Sequence, residues 1–113
     1  MTLQIPTIAD VHLATRVIYQ HISPAPFIRS YPLEKELGVA PGRRVWFKDY
    51  GYTPVRSFKL YGALNWMANN LENSGGAPIA AHSSGNFACG IAFACNRFDK
   101  PVNIVMPEDA PPI

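Results

Sequence analysis

The chain has 113 residues, 48% of them hydrophobic and 16% charged, and its ten basic side chains outweigh eight acidic ones for a net charge of +2. That length suits one small domain, and the apolar content favours a buried core over a disordered tail. Apart from the adjacent Arg43 and Arg44 the basic residues are scattered, which argues against a nucleic-acid partner, and no run approaches the eighteen or so unbroken apolar residues of a membrane helix.

In chain order, "MTLQIPTIADVHLATRVIYQ" lacks a charged start followed by a continuous apolar run, so it does not read as a signal peptide. Ile8, Val11, Leu13, Ala14, Val17 and Ile18 recur at helical spacing behind Thr7, a cap with Asp10 at its third position, and predict a first helix. "SPAPF" breaks it. "IRSYPLEKELG" reads as an extended piece and a short helix closed by Gly38, and "VAPGRR" as a turn. "RVWFKD" alternates β-formers and predicts a strand, from which "YGYTP" leads into a helix running from a Ser57 cap to about Glu72.

"NSGGAP" is a turn-rich break, "PIAAHSS" a short apolar strand, "GNFACGIAFACNRF" a helix and "VNIVM" a second buried strand before the proline-rich "PEDAPPI". Strand, helix, strand, helix, strand is the order of parallel βαβ units, so the expected class is α/β. Cys89 and Cys95 share one predicted helix six residues apart, which fits neither a CxxC redox pair nor a zinc pattern. They read as small, buried, reduced hydrophobes; no metal site is expected, and the default location is a reducing, cytoplasmic one.

Two stretches carry chemistry. In "PVRSFKLYGALN" Lys59 falls in the first turn of a helix, where the macrodipole disfavours positive charge. Such a lysine either snorkels to solvent or is kept easy to deprotonate, since positive ends and burial lower an amine's pKa and favour Schiff-base chemistry. In "AHSSGNFACG" a strand passes into a helix through small residues, so backbone amides converge on a ready-made anion site. Gly85 and Asn86 suit left-handed or tight geometry there, and Ser83 and Ser84 add hydroxyls. An ordinary strand-to-helix turn would use the same residues.

"PVRSFKLYGALN", "HSSGNFACGIAFA" and "VNIVMPEDAP", in that order, resemble the amino-terminal part of the pyridoxal-phosphate enzymes of the tryptophan-synthase-β fold type, nearest to threonine and serine dehydratases and serine racemases. "IADVHLATRVIYQHISPAPFIRSYPLEKELG" looks like the family's opening helix and substrate-side segment, and "RVWFKDYGYTPVRSFK" like its strand leading to the cofactor lysine. The resemblance implies lead-in helices over 1–43 and a βαβ core over 44–113, an incomplete portion of a two-domain fold. It implies that Lys59 carries pyridoxal phosphate as a Schiff base, that Phe58 lies beside the cofactor ring and that Asn86 hydrogen-bonds the ring hydroxyl. Ser83, Ser84, Gly85 and the backbone near Phe87 would receive the carboxylate of a small amino acid, serine or threonine. The implied reaction is β-elimination to a 2-oxo acid and ammonia.

The chain departs from the family pattern at Tyr61, where a basic residue is usual, at Phe87, usually histidine, and at Ala25, Pro26 and Phe27, usually threonine-proline-leucine. His82 reads as a strand-end residue that hydrogen-bonds locally rather than as a base; His12 and His21 are given no role. The family's glycine-rich phosphate loop and the residue facing the pyridine nitrogen are not among these 113 residues, and "PEDAPPI" stops where the family continues. The expectation is therefore a fragment or one piece of a split protein, catalytic only with a complementary chain, with homo-oligomerisation left open. The alternatives are a non-catalytic remnant and the corresponding part of a serine racemase.

Overall fold

A computed structural model describes residues 5–111. Helix α1 (Ile8–Ile18) starts from the expected cap: Asp10 N–H donates to Thr7 Oγ1 at 3.4 Å while the Asp10 carboxylate accepts the Thr7 N–H, a reciprocal box that satisfies two orphan donors. Its apolar stripe is only partly used. Ile18 is buried and Ala14 packs against the core, whereas Ile8, Val11 and Leu13 face solvent.

Strand β1 (Phe27–Arg29), helix α2 (Tyr31–Glu36) and strand β2 (Trp46–Lys48) form one arm. Gly38 follows α2 at φ +57°, the left-handed stop expected of it. The strand in "RVWFKD" does not join a parallel sheet. β2 pairs antiparallel with β1 in the register Phe27↔Lys48, Ile28↔Phe47, Arg29↔Trp46, because the turn after α2 returns the chain beside β1, where the Ser30 N–H donates to the Val45 carbonyl and the Asp49 N–H to the Pro26 carbonyl, each at 2.9 Å. A two-stranded ribbon is marginal alone. Here a fork of hydrogen bonds ties it to α2: Arg29 Nε and a terminal guanidinium nitrogen each donate to Glu34 at 2.8 Å, and Glu34 also accepts the Val45 N–H at 2.9 Å.

A single 3-10 turn (Tyr50–Tyr52) leads to helix α3 (Lys59–Asn70), shorter than expected at both ends and followed by another 3-10 turn over Glu72–Ser74. Gly75 and Gly76, at φ +54° and +87°, end it in a conformation that costs a side-chain-bearing residue energy. Strand β3 (Ile79–His82), helix α4 (Asn86–Arg97) and strand β4 (Val102–Val105) make one βαβ unit, β3 and β4 pairing in parallel from Ile79↔Val102 to His82↔Val105. The α/β class therefore holds, with parallel strands in this unit and antiparallel ones in the arm.

The core lies between α3 and α4. Leu60, Ala63, Leu64 and Met67 recur every three or four residues and cluster with Ile91, Ala94 and Cys95, joined by Ile18, Ile22 and Ile79. Each large side chain buried there contributes about 1.5–3 kcal/mol. Cys95 is buried within 3.9 Å of the Met67 sulfur, and burial pushes its thiol up; Cys89 is half-buried, and both are free. β4 is not wholly buried as expected: Val102 and Ile104 are partly covered, while Asn103 and Val105 face outward.

Candidate active site at the starts of two helices

The chain brings Lys59 to the start of α3 through a tightly bonded turn. Thr53 and Ser57 are both buried, and Ser57 Oγ accepts the Lys59 N–H at 3.2 Å. Ser57 was expected to cap the helix; the helix starts one residue later, so Lys59 is its first residue rather than its second. The Lys59 ammonium sits 5.0 Å from the centre of the Phe58 ring, a cation–π geometry. Both residues are exposed, which agrees with a lysine that reaches solvent rather than one kept easy to deprotonate by burial.

The second half of the site follows β3. Ser83 N–H donates to the Val105 carbonyl at 3.1 Å, extending the ladder one step beyond His82. The loop then turns on itself: Gly85 N–H donates to Ser83 Oγ at 3.3 Å, and the Gly85 carbonyl accepts the Ala88 N–H at 2.8 Å. Gly85 has φ −140° and ψ −151°, and a Cβ there would meet nothing within 4 Å. Of the left-handed or tight geometry expected there, Gly85 is not left-handed, because α4 begins from an extended residue, while the short bonds at Ser83 and Ala88 keep the loop tight. Asn86 opens α4 and is exposed. Among the described residues the N–H groups of Ser84, Asn86 and Phe87 carry no hydrogen bond, so donors face outward from a positive helix end.

What joins the halves is Gly90, one turn into α4. A Cβ at Gly90 would lie 3.3 Å from the Leu60 nitrogen and from the Lys59 carbonyl carbon. The backbone that carries the amine therefore touches α4 about 6 Å along its axis from Asn86. Phe58 and Lys59 stand at the start of α3, and Ser83, Ser84, Gly85 and Asn86 follow the carboxyl end of β3, the usual ligand position of an open α/β sheet. No hydrogen bond among the described residues links the Lys59 side chain to the serine loop.

Phe87 behaves differently from the rest. It lines a cavity of about 370 Å³ with Gly62, Trp66, Ile79, Ala81 and Ile91 yet stays 40% exposed, and its backbone N–H stands at the helix start. His82 is exposed at the strand end, and its imidazole makes none of the local hydrogen bonds expected of it among the described residues. Tyr61, where the family pattern has a basic residue, accepts the Ala25 N–H on its hydroxyl at 3.1 Å and meets Tyr50 edge-on at 5.2 Å. It ties the segment before β1 to the lysine helix.

Sequence reasoning missed Thr53 and Gly90. The signal for Thr53 was a short hydroxyl residue four positions before Ser57 in "TPVRS", the spacing of a side-chain-closed turn. Gly90 stands amid a strong helical pattern, where a glycine signals close packing.

Residues 18–113 match the family described as pyridoxal-phosphate dependent enzyme. The chain is 34% identical over 107 residues to the L-threo-3-hydroxyaspartate ammonia-lyase of Saccharomyces cerevisiae, covering 95% of this chain and 32% of that protein. It is 35% identical over 109 residues to the serine racemase of Schizosaccharomyces pombe, covering 96% and 32%. Among solved structures, a pyridoxal 5'-phosphate-dependent aspartate racemase superposes with a TM-score of 0.82 at 30% identity, covering 98% of this chain and 34% of that one. The chain thus spans about a third of the length of the relatives it matches.

Proposed function

The chain belongs to the pyridoxal-phosphate-dependent enzymes, and we propose that it supplies the cofactor lysine and the carboxylate loop of an ammonia-lyase acting on a small 3-hydroxy amino acid, serine or threonine. One observation carries this reading: Lys59 is the first residue of α3, and its backbone is held against α4 one turn from the Ser83–Asn86 loop.

The donor set fits the cofactor. An exposed primary amine suits its aldehyde, the neutral Asn86 amide suits the ring hydroxyl, and Phe58 offers an apolar edge to the ring. When bound, pyridoxal phosphate supplies an electron sink beside the substrate's α-carbon. Lys59 holds the cofactor and moves the α-proton. The Ser84 hydroxyl and the N–H groups of Ser84, Asn86 and Phe87 hold the carboxylate, which turns the α-carbon toward Lys59. Loss of the α-proton and the β-hydroxyl releases water; its return on hydrolysis of the nitrogen-bearing product yields a 2-oxo acid and ammonia. Returning the proton to the opposite face would be racemisation, a second reading favoured by the likeness to racemases.

The same proposal places the protein in a reducing, cytoplasmic setting, supported by the free thiols, and pairs it with a second copy or a complementary chain, supported by exposed Trp66, Val105 and Met106. The test is to incubate the intact protein with pyridoxal phosphate, reduce with borohydride and map the adduct. Label on Lys59, with 2-oxo-acid formation from serine or threonine that Lys59→Ala abolishes, supports the reading. Label on Lys35, Lys48 or Lys100 in preference to Lys59 overturns it.

A further inference from the structure

We propose that Thr53 is a positioning residue for Lys59, its single hydroxyl setting the point at which α3 begins. The inference rests on the reading of Lys59 as the cofactor lysine. Thr53 is 5% exposed, and its Oγ1 donates to the Tyr50 carbonyl at 2.8 Å, with the Ser57 carbonyl at 3.3 Å as a second acceptor. The same oxygen accepts the Ser57 N–H at 2.9 Å. One atom thus spans the 3-10 turn before it and the residue that receives the Lys59 N–H after it.

Between these anchors Arg56 has φ +51°, a left-handed conformation disfavoured for an arginine, with its N–H held by the Thr53 carbonyl at 2.9 Å. Such a residue keeps that conformation only where its surroundings over-determine it, and here the surroundings are the Thr53 bonds. Without the hydroxyl, the buried Ser57 N–H loses its partner and the pressure holding Arg56 is gone. Ser57 then shifts, and Lys59 shifts with it through the Ser57 Oγ contact. Displacement of a reacting group by about 1 Å costs far more in reactivity than in fold stability.

The experiment compares wild type, Thr53→Val, Thr53→Ser and Ser57→Ala, each as the intact protein with pyridoxal phosphate, trapped with borohydride below its melting transition as followed by circular dichroism. The readout is label at Lys59 relative to label at Lys48, a ratio that overall stability does not move. The expected result is at least a fivefold fall for Thr53→Val, recovery in Thr53→Ser and at least a twofold fall for Ser57→Ala. An unchanged ratio in folded Thr53→Val overturns the inference while leaving the cofactor-lysine reading standing. If Thr53→Val does not fold, Ser57→Ala decides by the same criterion. Wild-type protein that fails to label Lys59 preferentially overturns that reading and this inference with it.

Discussion

Ser83 and Ser84 stand next to each other in the chain yet differ in what they are free to do. Ser83 Oγ already accepts the Gly85 N–H, whereas the Ser84 hydroxyl has no partner among the described residues. Both can still donate a proton to a carboxylate, since a hydroxyl accepts and donates at once. Replacing both by alanine is expected to weaken amino-acid binding by about 1.5–3 kcal/mol per lost charge-assisted bond, roughly ten- to a hundredfold each, while cofactor affinity changes little. Titration of the holoenzyme with serine, set beside a pyridoxal-phosphate titration of the apoprotein, measures the two separately. Equal losses in both would mean that the serines only shape the loop.

Between elements, the contact that matters is Gly90 against the Lys59–Leu60 backbone. Gly90→Leu puts a large side chain where even a Cβ lies 3.3 Å from two backbone atoms, so α3 and α4 must part. Overpacking of this kind costs about 1–3 kcal/mol, to be read as a lowered melting temperature, and the borohydride label at Lys59 is expected to fall as well. The arm answers to pH instead. Hydrogen bonds from Arg29, followed by that from Val45, hold the Glu34 carboxyl at about 2, below its ordinary value of 4.5. A group depressed on folding stabilises the folded state above its unfolded pKa and loses that contribution as pH falls through the folded one. The arm should therefore loosen between about pH 4.5 and pH 2, reported by the fluorescence of Trp46 in a Trp66→Phe background. In Glu34→Gln this acid transition should be absent.

The whole molecule is open for its size. Its Cα radius of gyration is 17.6 Å and its accessible surface 8520 Å². A compact chain of this length and mass has about 13 Å and about 6,200 Å². The excess is partly apolar: Phe27 and Trp46 stack at 5.0 Å on an exposed ribbon, Val105 is 62% exposed, and the cavity beside Phe87 opens between α3, α4 and β3. Surface of this kind marks interaction sites or association. The 113-residue chain on its own is expected to enhance anilinonaphthalene-sulfonate fluorescence and to elute above monomer mass on size exclusion. A dye-silent monomer would contradict that expectation.

Local chemistry was legible along most of the chain. The Thr7–Asp10 box, the Gly38 stop, the helix after Ser57 and the strand-loop-helix at Ser83–Asn86 depend on close neighbours in the chain, and such spacing is written in the sequence itself. The ordered motifs likewise determined the family, because each needs a residue type at a fixed place. Tertiary structure alone decided that β2 pairs with β1 and that the outer half of the α1 stripe stays in solvent, since both depend on which surfaces meet. It also decided that an apolar cavity opens beside Phe87, that Thr53 braces the turn before Lys59 and that Gly90 brings the starts of α3 and α4 together. Those contacts join residues whose partners are set by backbone approach across elements, and no period in the sequence encodes that distance.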